Sequence, residues 1–361
     1  MRVSTPSAAG RPRKTLAGAA RRAAWLARRT LERRARPGAG IASGPNALRR
    51  ELPPGRFAVE REPATNALYE RLSEQEVTAV EQLIRATPGA WEHYFGIADR
   101  ATDRGLLLSV GMWIGSEELA ERTGLIRAEP PEEVHAMSRG ALTAAGALYE
   151  ADMVINALTA GGGDIGEVRA ALDFGCSSGR VLRSLGAAYP GVDWHGCDPN
   201  VPAIEWAQAN LPLARFFASG AAPPLPLEDS SLDLIYAISI WSHFEPSRGL
   251  DWFGEMHRLL RPGGHLVFTT HGLTSVDHYL KAGLRSSEQS HEIERALYRR
   301  GAWYAAEFGE KGDWGVTDPG WGTAFLSPEW LLTQLCPRWR VVEFAPGRNQ
   351  DNQDVYVLQP A

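Results

Sequence analysis

The sequence predicts an α/β fold built on a mostly parallel sheet, and three features of the chain support this prediction. From residue 168 to residue 271, short apolar runs alternate with stretches of helical periodicity, as parallel strands joined by crossover helices require. The first apolar run leads into a turn that Gly175 and Gly179 flank. A second apolar run ends on an acid, Asp198, 19 residues after Gly179. We therefore expect two neighbouring strands that end at a ligand-binding edge.

The first 55 residues are predicted to be a basic arm that is disordered or partly helical. Residues 1–50 hold 13 of the 38 basic residues but one of the 43 acidic residues, which gives them a net charge of +12. Residues 15–36 have high helix propensity, and their apolar face is mostly alanine, which buries little area. Two interpretations follow: a solvated tail, or a weak contact with an anionic surface.

Residues 56–164 are predicted to form a helical cap before the sheet. Ser73 and Glu76 have the spacing of a capping box, which marks the start of a helix. Ser116 has the position of an N-cap for a shorter helix. Pro130 is predicted to open a longer helix, since proline is favoured in the first turn.

The turn at residues 175–179 has the properties of a ligand-binding loop. Its glycines carry no side chain, so the backbone there can approach a ligand closely. The helix that follows would aim the free amides of its N-terminus at the same place. A carboxylate at Asp198, at the end of the next strand, can accept both hydroxyls of a ribose. These features predict a site for a nucleoside-containing cofactor.

The spacing of the glycines argues against a cofactor held by its phosphates. A dinucleotide fingerprint has three glycines at G-x-G-x-x-G, and a phosphate-binding P-loop ends in Gly-Lys-Ser/Thr. Here Gly175 and Gly179 enclose Cys-Ser-Ser, and the turn ends Gly-Arg-Val. A nucleoside without phosphates is therefore favoured, and a nicotinamide-dependent oxidoreductase stays as an alternative.

The run 171–180, Ala-Leu-Asp-Phe-Gly-Cys-Ser-Ser-Gly-Arg, resembles the first motif of the class I S-adenosylmethionine-dependent methyltransferases, with Ser177 where glycine is commonest. Further segments similar to that family follow in the family's order: 225–227, 228–235, 240–244, 255–268, and the closing pair 339–344 and 354–358. The resemblance covers residues 165–361. It implies a seven-stranded, mostly parallel Rossmann-like sheet with an antiparallel last strand, and S-adenosyl-L-methionine as the cofactor. The tail 347–358 is similar to the C-termini of bacterial members that act on glycans or small molecules, so the resemblance is to the bacterial small-molecule or glycan type.

The turn and the resemblance together predict a set of cofactor-binding residues. They are Asp173, Gly175, Cys176, Ser177, Gly179, Asp198, Pro199, Ser219, Gly220 and Ser239. Replacing Asp198 with alanine is expected to weaken cofactor binding at least tenfold, since hydrogen bonds to a charged group are strong, and to change folding little. No adenine-binding acid is assigned, because residues 219–224 hold none. Ser219 is the candidate polar contact there.

The interval 273–327 interrupts the alternation of strands and helices, and it is predicted to form a lid that contains helices. A loop of this length without secondary structure would be unusual. Trp303, Trp314 and Trp321 lie in this interval. They form either the lid's own small core or flat surfaces for an aromatic or sugar acceptor.

His243 and His271 are the candidate catalytic bases. In methyl transfer the protein positions the reactants and removes a proton when the acceptor is a hydroxyl. His243 follows the fourth predicted strand and His271 ends the fifth, and ligands gather at the carboxyl ends of parallel strands. His243 has an equally good interpretation as a structural residue, and Glu245 is a further candidate base. No spacing of histidines and carboxylates indicates a metal, so none is expected.

Charge and cysteine content limit the remaining possibilities. Residues 51–361 carry a net charge of −17, which would repel a phosphate backbone, so no nucleic-acid acceptor is expected. Three cysteines without metal spacing fit a reducing compartment, and no apolar run reaches the ~20 residues of a membrane span. We expect a cytoplasmic enzyme that methylates oxygen on a small molecule or glycan. The alternatives are an NAD-dependent oxidoreductase and a non-catalytic, cofactor-binding scaffold protein.

Overall fold

The computed structural model describes residues 61–90, 103–132, 134, 147–308, 318 and 320–361. Its strands are β1 (Ala170–Phe174), β2 (Asp193–Asp198), β3 (Arg215–Ala218), β4 (Leu232–Ala237), β5 (Leu260–Thr270), β6 (Ala302–Ala305), β7 (Thr323–Leu326), β8 (Trp339–Asn349) and β9 (Gln353–Pro360). Seven of them form one sheet in the order β3-β2-β1-β4-β5-β9-β8. Strands β1 to β5 are parallel, and β9 is antiparallel to both of its neighbours. The predicted sheet, with its antiparallel last strand, is confirmed.

Helices precede the sheet, connect its strands and extend beyond it. They are α1 (Pro63–Tyr69), α2 (Glu74–Ala86), α3 (Asp103–Trp113), α4 (Glu117–Thr123), α5 (Leu148–Ala160), α6 (Leu182–Ala188), α7 (Val201–Asn210), α8 (Pro246–Leu259), α9 (Leu273–Lys281), α10 (Ser287–Arg300) and α11 (Pro328–Leu335). Helices α6, α7 and α8 connect β1 to β2, β2 to β3 and β4 to β5, so they are the crossovers that the alternating pattern predicts.

Two helix starts in the region before the sheet are as predicted. The Ser73 hydroxyl accepts a hydrogen bond from the Glu76 amide, and the Glu76 carboxylate accepts one from the Ser73 amide. Ser116 caps α4, which ends at Gly124 in the left-handed conformation. Local capping chemistry was therefore a sufficient guide to both helices.

The prediction that a long helix begins at Pro130 is wrong. Pro130 and Pro131 are not helical, and the helix that the structure describes begins at Leu148. Pro130 precedes another proline, and the residue before a proline is driven out of the α region by steric clash. Residues 135–146 lie outside the described part, as does the whole basic arm.

The helices before the sheet pack on the same hydrophobic core as one face of the sheet. Leu68, Leu106 and Val154 belong to one buried cluster with Leu182 and Leu234. The boundary proposed near residue 164 therefore separates two sequence regions that share a core.

The Pro-Gly-Gly segment at residues 262–264 lies inside β5 as an irregularity. Leu232 of β4 pairs with Leu260, and Leu234 pairs with His265, so extra residues of β5 bulge out of the ladder. Gly263 has φ +83°, which glycine tolerates without strain. The strand thus begins at the end of α8, and this segment is a bulge within it.

The interval 273–327 contains α9, α10 and the two-stranded antiparallel sheet of β6 and β7. Residues 309–317 and 319 of this insertion lie outside the described part. The helices predicted for the insertion are present, and the β6–β7 pair was not predicted.

Candidate active site

A cleft of about 250 Å³ lies at the carboxyl ends of the parallel strands. Phe174 of β1 pairs with Cys197 of β2, so the loops that follow these two strands start at the same level. The glycine turn, Asp198 and the loop after β3 line one part of the cleft, which we call the glycine end. Phe244, Trp252 and Trp321 line the other part, which we call the aromatic end.

The glycine turn is folded onto the end of β2. The amides of Gly175 and Cys176 both donate to the Cys197 carbonyl, at 2.9 and 3.0 Å. Gly175 has φ +86°, and a Cβ on it would lie 2.1 Å from Cδ1 of Ile240. Both the backbone conformation and the contact require glycine at this position. The turn is therefore rigidly placed against the cleft.

The Asp198 carboxylate joins the glycine turn to the start of α7. One carboxylate oxygen accepts from the Ser177 amide at 2.8 Å, and the other accepts from the Asn200 amide at 2.8 Å. Ser177 has φ +50°, a conformation that few non-glycine residues adopt. Asp198 thus shapes the turn as well as facing the cleft.

The other predicted cofactor-binding residues fall into two groups. Gly175, Ser177, Asp198, Pro199, Ser219, Gly220 and Ser239 line the cleft. Asp173, Cys176 and Gly179 are buried and are not among the residues that line the cleft. Their assignment as cofactor-binding residues stays a prediction, and the second group can support the turn without lining the cleft.

Asp173 is a buried carboxyl group at the end of β1. Burial raises its pKa to about 7, and the nearby charge of Arg180 lowers the pKa in part. Arg180 itself lines the cleft. Arg180 was not among the predicted site residues, although it is the last residue of the run 171–180 that carries the first motif.

His243 lines the cleft and lies next to Trp321 of the aromatic end. Its Nδ1 lies 2.9 Å from the Gly322 carbonyl, and its ring stacks on Trp321 with the centroids 4.8 Å apart. A carbonyl can only accept, so Nδ1 carries the proton and the lone pair of the neutral ring is at Nε2. The structure therefore places an imidazole ring in the cleft wall.

His271 does not reach the cleft, because it is 2% exposed beneath the insertion. Its Nδ1 lies 3.1 Å from the Ala324 carbonyl, and its Nε2 lies 3.3 Å from Gln353 Nε2 and 3.2 Å from the Tyr279 hydroxyl. Burial lowers the pKa of His271 to about 3, so the ring is neutral. With both nitrogens engaged, it is poorly placed to remove a proton from a ligand.

A buried polar network holds Ser239 at the cleft. Ser239 has φ +64°, and its amide donates to Thr269 Oγ1 at 2.8 Å. Gln353 Nε2 donates to Ser239 Oγ at 2.6 Å, while Thr269 Oγ1 donates to Gln353 Oε1 at 2.6 Å. Strand β9 therefore fixes the loop that leads from β4 to His243.

The aromatic end joins segments that are about 70 residues apart in the chain. Arg248 forms an ion pair with Asp318, and both residues line the cleft. Phe244 and Trp321 form an isolated antiparallel bridge, and the Gly322 amide donates to the His243 carbonyl at 2.9 Å. Glu245, the further candidate base, caps α8 by accepting from the amides of Ser247 and Arg248.

The tryptophans of the insertion have different environments. Trp321 lines the cleft, whereas Trp303 packs on Phe325 in the insertion's own small cluster and donates from Nε1 to Glu292. Trp314 lies outside the described residues. Each of the two interpretations of the tryptophans thus has one residue in its favour.

Two kinds of feature are absent from the described residues. In that part of the chain, no group of three or more His, Cys, Asp or Glu side chains is arranged to hold a metal ion. No helix of the same part is long and apolar enough to cross a membrane.

Comparison with known proteins identifies the domain that carries the cleft. Residues 171–264 match the family model described as "Methyltransferase domain". The chain is 30% identical over 100 residues to the malonyl-[acyl-carrier protein] O-methyltransferase of Hahella chejuensis, a match that covers 27% of this chain and 35% of that protein. It is 27% identical over 110 residues to a tRNA N(3)-cytidine methyltransferase of Gallus gallus, covering 28% of this chain and 30% of that protein.

A solved S-adenosylmethionine-dependent methyltransferase from Methanosarcina mazei aligns with 53% of this chain and 92% of its own, at 21% identity and a TM-score of 0.39. The matched region spans about a third of the length of the curated relatives. The family model and the relatives confirm the resemblance to class I methyltransferases for this region, with S-adenosyl-L-methionine as the cofactor. The two relatives named differ in acceptor, so the shared domain does not indicate what is methylated.

Proposed function

We propose that this chain, which carries a class I S-adenosylmethionine-dependent methyltransferase domain at residues 171–264, methylates an oxygen atom of a small molecule or glycan. The observation that carries the proposal is the arrangement of the cleft. Its glycine end carries the turn and Asp198, and a histidine base lies beside the aromatic end. A donor and an acceptor would thus be held in one cleft, as an in-line transfer requires.

The glycine end fits a nucleoside on the chemistry of its groups. Asp198 lines the cleft, and an ionised carboxylate is an acceptor-only group that suits the hydroxyls of a ribose. Asp198 is placed to hold ribose hydroxyls, and Ser219 with Gly220 can border the base. The cofactor supplies an activated methyl group on a sulfonium. The protein binds and orients the cofactor and excludes water from the acceptor.

His243 is the proposed catalytic base. Its Nδ1 proton is held by the Gly322 carbonyl, so Nε2 is the nitrogen that can take a proton from an acceptor hydroxyl. The stack on Trp321 restrains the ring, and the aromatic end offers flat apolar walls to the acceptor. These features support a small acceptor with a hydroxyl beside an apolar or ring portion.

The other functional proposals concern partners and location. The charge of −17 on residues 51–361 supports an acceptor other than nucleic acid. The three cysteines are free thiols, which supports a cytoplasmic location. The basic arm, at +12, is proposed to make at most a weak contact with an anionic surface.

Calorimetric titration tests the proposal against its alternatives. We expect binding of S-adenosylhomocysteine and none of NAD. The reverse result would favour an oxidoreductase. Cofactor binding without any methyl transfer to a broad acceptor panel would favour a scaffold. Incubation with labelled S-adenosylmethionine and an extract of the source cells would then identify the acceptor.

A further inference from the structure

Gln353 is a buried side chain whose amide has a hydrogen-bond partner at every position. Its Nε2 donates to Ser239 Oγ at 2.6 Å and to His271 Nε2 at 3.3 Å. Its Oε1 accepts from Thr269 Oγ1 at 2.6 Å and from Asn349 Nδ2 at 3.3 Å. An amide has two N–H donors and two acceptor lone pairs, so these four contacts use all of them. Gln353 does not line the cleft, and its link to the cleft is Ser239.

His271 determines which way the Gln353 amide points. The Ala324 carbonyl faces Nδ1 of the ring and can only accept, so Nδ1 carries the ring proton. Nε2 is then an acceptor, and the Gln353 atom that faces it must be the nitrogen. Rotating the amide by half a turn would set two buried acceptors against each other, which is costly. The ring therefore selects the orientation in which Gln353 donates to Ser239.

The loop from Ser239 to His243 is one tight turn, so its two ends move together. Ser242 Oγ donates to the Ser239 carbonyl at 2.7 Å, and the His243 amide donates to the Ile240 carbonyl at 3.0 Å. Ser239 has φ +64°, which a serine keeps only when its surroundings hold it there. The contact from Gln353 thus acts on the placement of His243.

We propose that His271 and Gln353 are positioning residues for His243, the proposed base. His271 sets the orientation of the Gln353 amide, and this amide holds the start of the loop that carries His243. The inference rests on the proposed function, since it explains how the proposed base is kept in place. His271 therefore acts on the reaction through Gln353, without contact with the acceptor.

Two substitutions of His271 that differ in length test the contact with Gln353. A glutamine reaches the position of Nε2 and can accept there, whereas an asparagine reaches only that of Nδ1 and keeps the contact with Ala324. The assay is the rate of label transfer from saturating S-adenosylmethionine to an extract of the source cells. His271→Asn should lower the rate roughly ten- to hundredfold, since small misplacements of a catalytic group cost this much. His271→Gln should stay within about threefold of the wild type.

NMR of the ring nitrogens of His243 provides a readout that needs no acceptor. In the wild type the proton should reside on Nδ1, which faces the Gly322 carbonyl. In His271→Asn and in Gln353→Met, the His243 ring should exchange between its two tautomers, because the loop is no longer held. His271→Gln should keep the wild-type spectrum. The double variant, His271→Asn with Gln353→Met, should be no slower in transfer than Gln353→Met alone, since both act through one contact.

His265→Asn is the matched control. His265 lies on the same strand, β5, and its Nε2 is 2.7 Å from Nε2 of Gln359 on β9, but neither residue lines the cleft. His265→Asn should change neither the transfer rate nor the His243 spectrum. Calorimetric binding of S-adenosylhomocysteine by each variant shows that it is folded.

A His271→Asn protein with the wild-type rate and the wild-type His243 spectrum would overturn this inference and leave the proposed function standing. Equal losses in His271→Asn, His271→Gln and His265→Asn would do the same, because they would reflect the fold as a whole. A wild type that binds no S-adenosylhomocysteine would instead refute the proposed function itself.

Discussion

Asp198 has two roles, one in cofactor binding and one in the fold. Its contacts change the effect on stability that we expect from replacing it. Its carboxylate accepts from the amides of Ser177 and Asn200. Asp198→Ala should weaken S-adenosylhomocysteine binding at least tenfold. It should also destabilise the fold by about 1–3 kcal/mol, because two backbone donors lose their acceptor. The expectation that folding would change little is not compatible with these contacts.

Titration and chemical denaturation of Asp198→Ala and Asp198→Asn separate the two roles. Asparagine retains one acceptor oxygen, so it should recover part of the stability. If the alanine variant titrates S-adenosylhomocysteine like the wild type, Asp198 does not belong to the donor site.

His243 should matter for turnover and not for donor binding. His243→Ala removes the proposed base, and general-base catalysis typically contributes 10²–10⁴-fold to a rate. We expect a rate loss in that range, with donor affinity changed by less than about twofold, since the proposed donor contacts lie at the glycine end. Single-turnover transfer to the identified acceptor, with calorimetry beside it, gives both numbers. A variant that keeps the wild-type rate would leave His243 a structural residue.

We expect His271 to make the free energy of unfolding depend on pH. Burial lowers its pKa to about 3 in the folded state, whereas an unfolded histidine titrates near ~6.5. Its contribution is complete above the unfolded value and is lost as the pH falls from there towards 3, because only the unfolded state takes up the proton. The wild type should therefore lose up to ~1.4 kcal/mol per pH unit relative to His271→Asn over that window.

The comparison with His271→Asn is needed because other buried groups act in the opposite direction. Burial raises the pKa values of Asp152 and Asp173 to about 7, so their contribution falls as the pH rises towards that value. Both proteins contain these groups, and the difference between the two denaturation curves cancels them. A difference that does not vary with pH would contradict a neutral, buried His271.

Elements are held together by a few buried carboxylates, and α1 is the best example. Asp152 of α5 accepts from the Ala64 amide at 2.7 Å, and from the amide and hydroxyl of Thr65 at 3.1 and 2.6 Å. It thus caps the N-terminus of a helix that has no side-chain cap of its own. Asp152→Ala should lower the free energy of unfolding by about 1–3 kcal/mol.

Urea denaturation measures that loss, and Glu121→Ala is the control. Glu121 is an exposed acid on α4, so its removal should change stability by less than about 0.5 kcal/mol. Equal effects of the two variants would mean that α1 does not depend on Asp152.

At the scale of the whole molecule, the insertion completes the cleft. Trp321→Ala should raise the KM for the acceptor roughly tenfold through the loss of an aromatic wall, with donor affinity unchanged. Trp303→Ala should instead lower the melting temperature with little effect on KM, because Trp303 packs in the insertion's own cluster. Steady-state kinetics and thermal unfolding of both variants separate these roles. The same KM for Trp321→Ala and wild type would contradict a role for the insertion in acceptor binding.

How much of the fold and of the candidate site could be predicted from the sequence depends on how far apart in the chain the interacting residues lie. The strand, glycine turn and Asp198 are local patterns, so their arrangement was predictable. Arg248 with Asp318, and Arg180 with Glu150, join distant segments, and no pattern along the chain reports such pairs. His271 was predictable at a strand end, but the side to which its ring turns depends on the packing of the insertion.

The place of β9 in the sheet has a consequence for the synthesis of this protein. β9 comes after every other strand in chain order, yet it lies between β5 and β8. Until residues 353–360 have left the ribosome, β5 presents an open edge to other chains, and β8 has no strand to pair with. Nascent molecules would thus be most vulnerable to aggregation during the interval in which the domain is almost entirely translated.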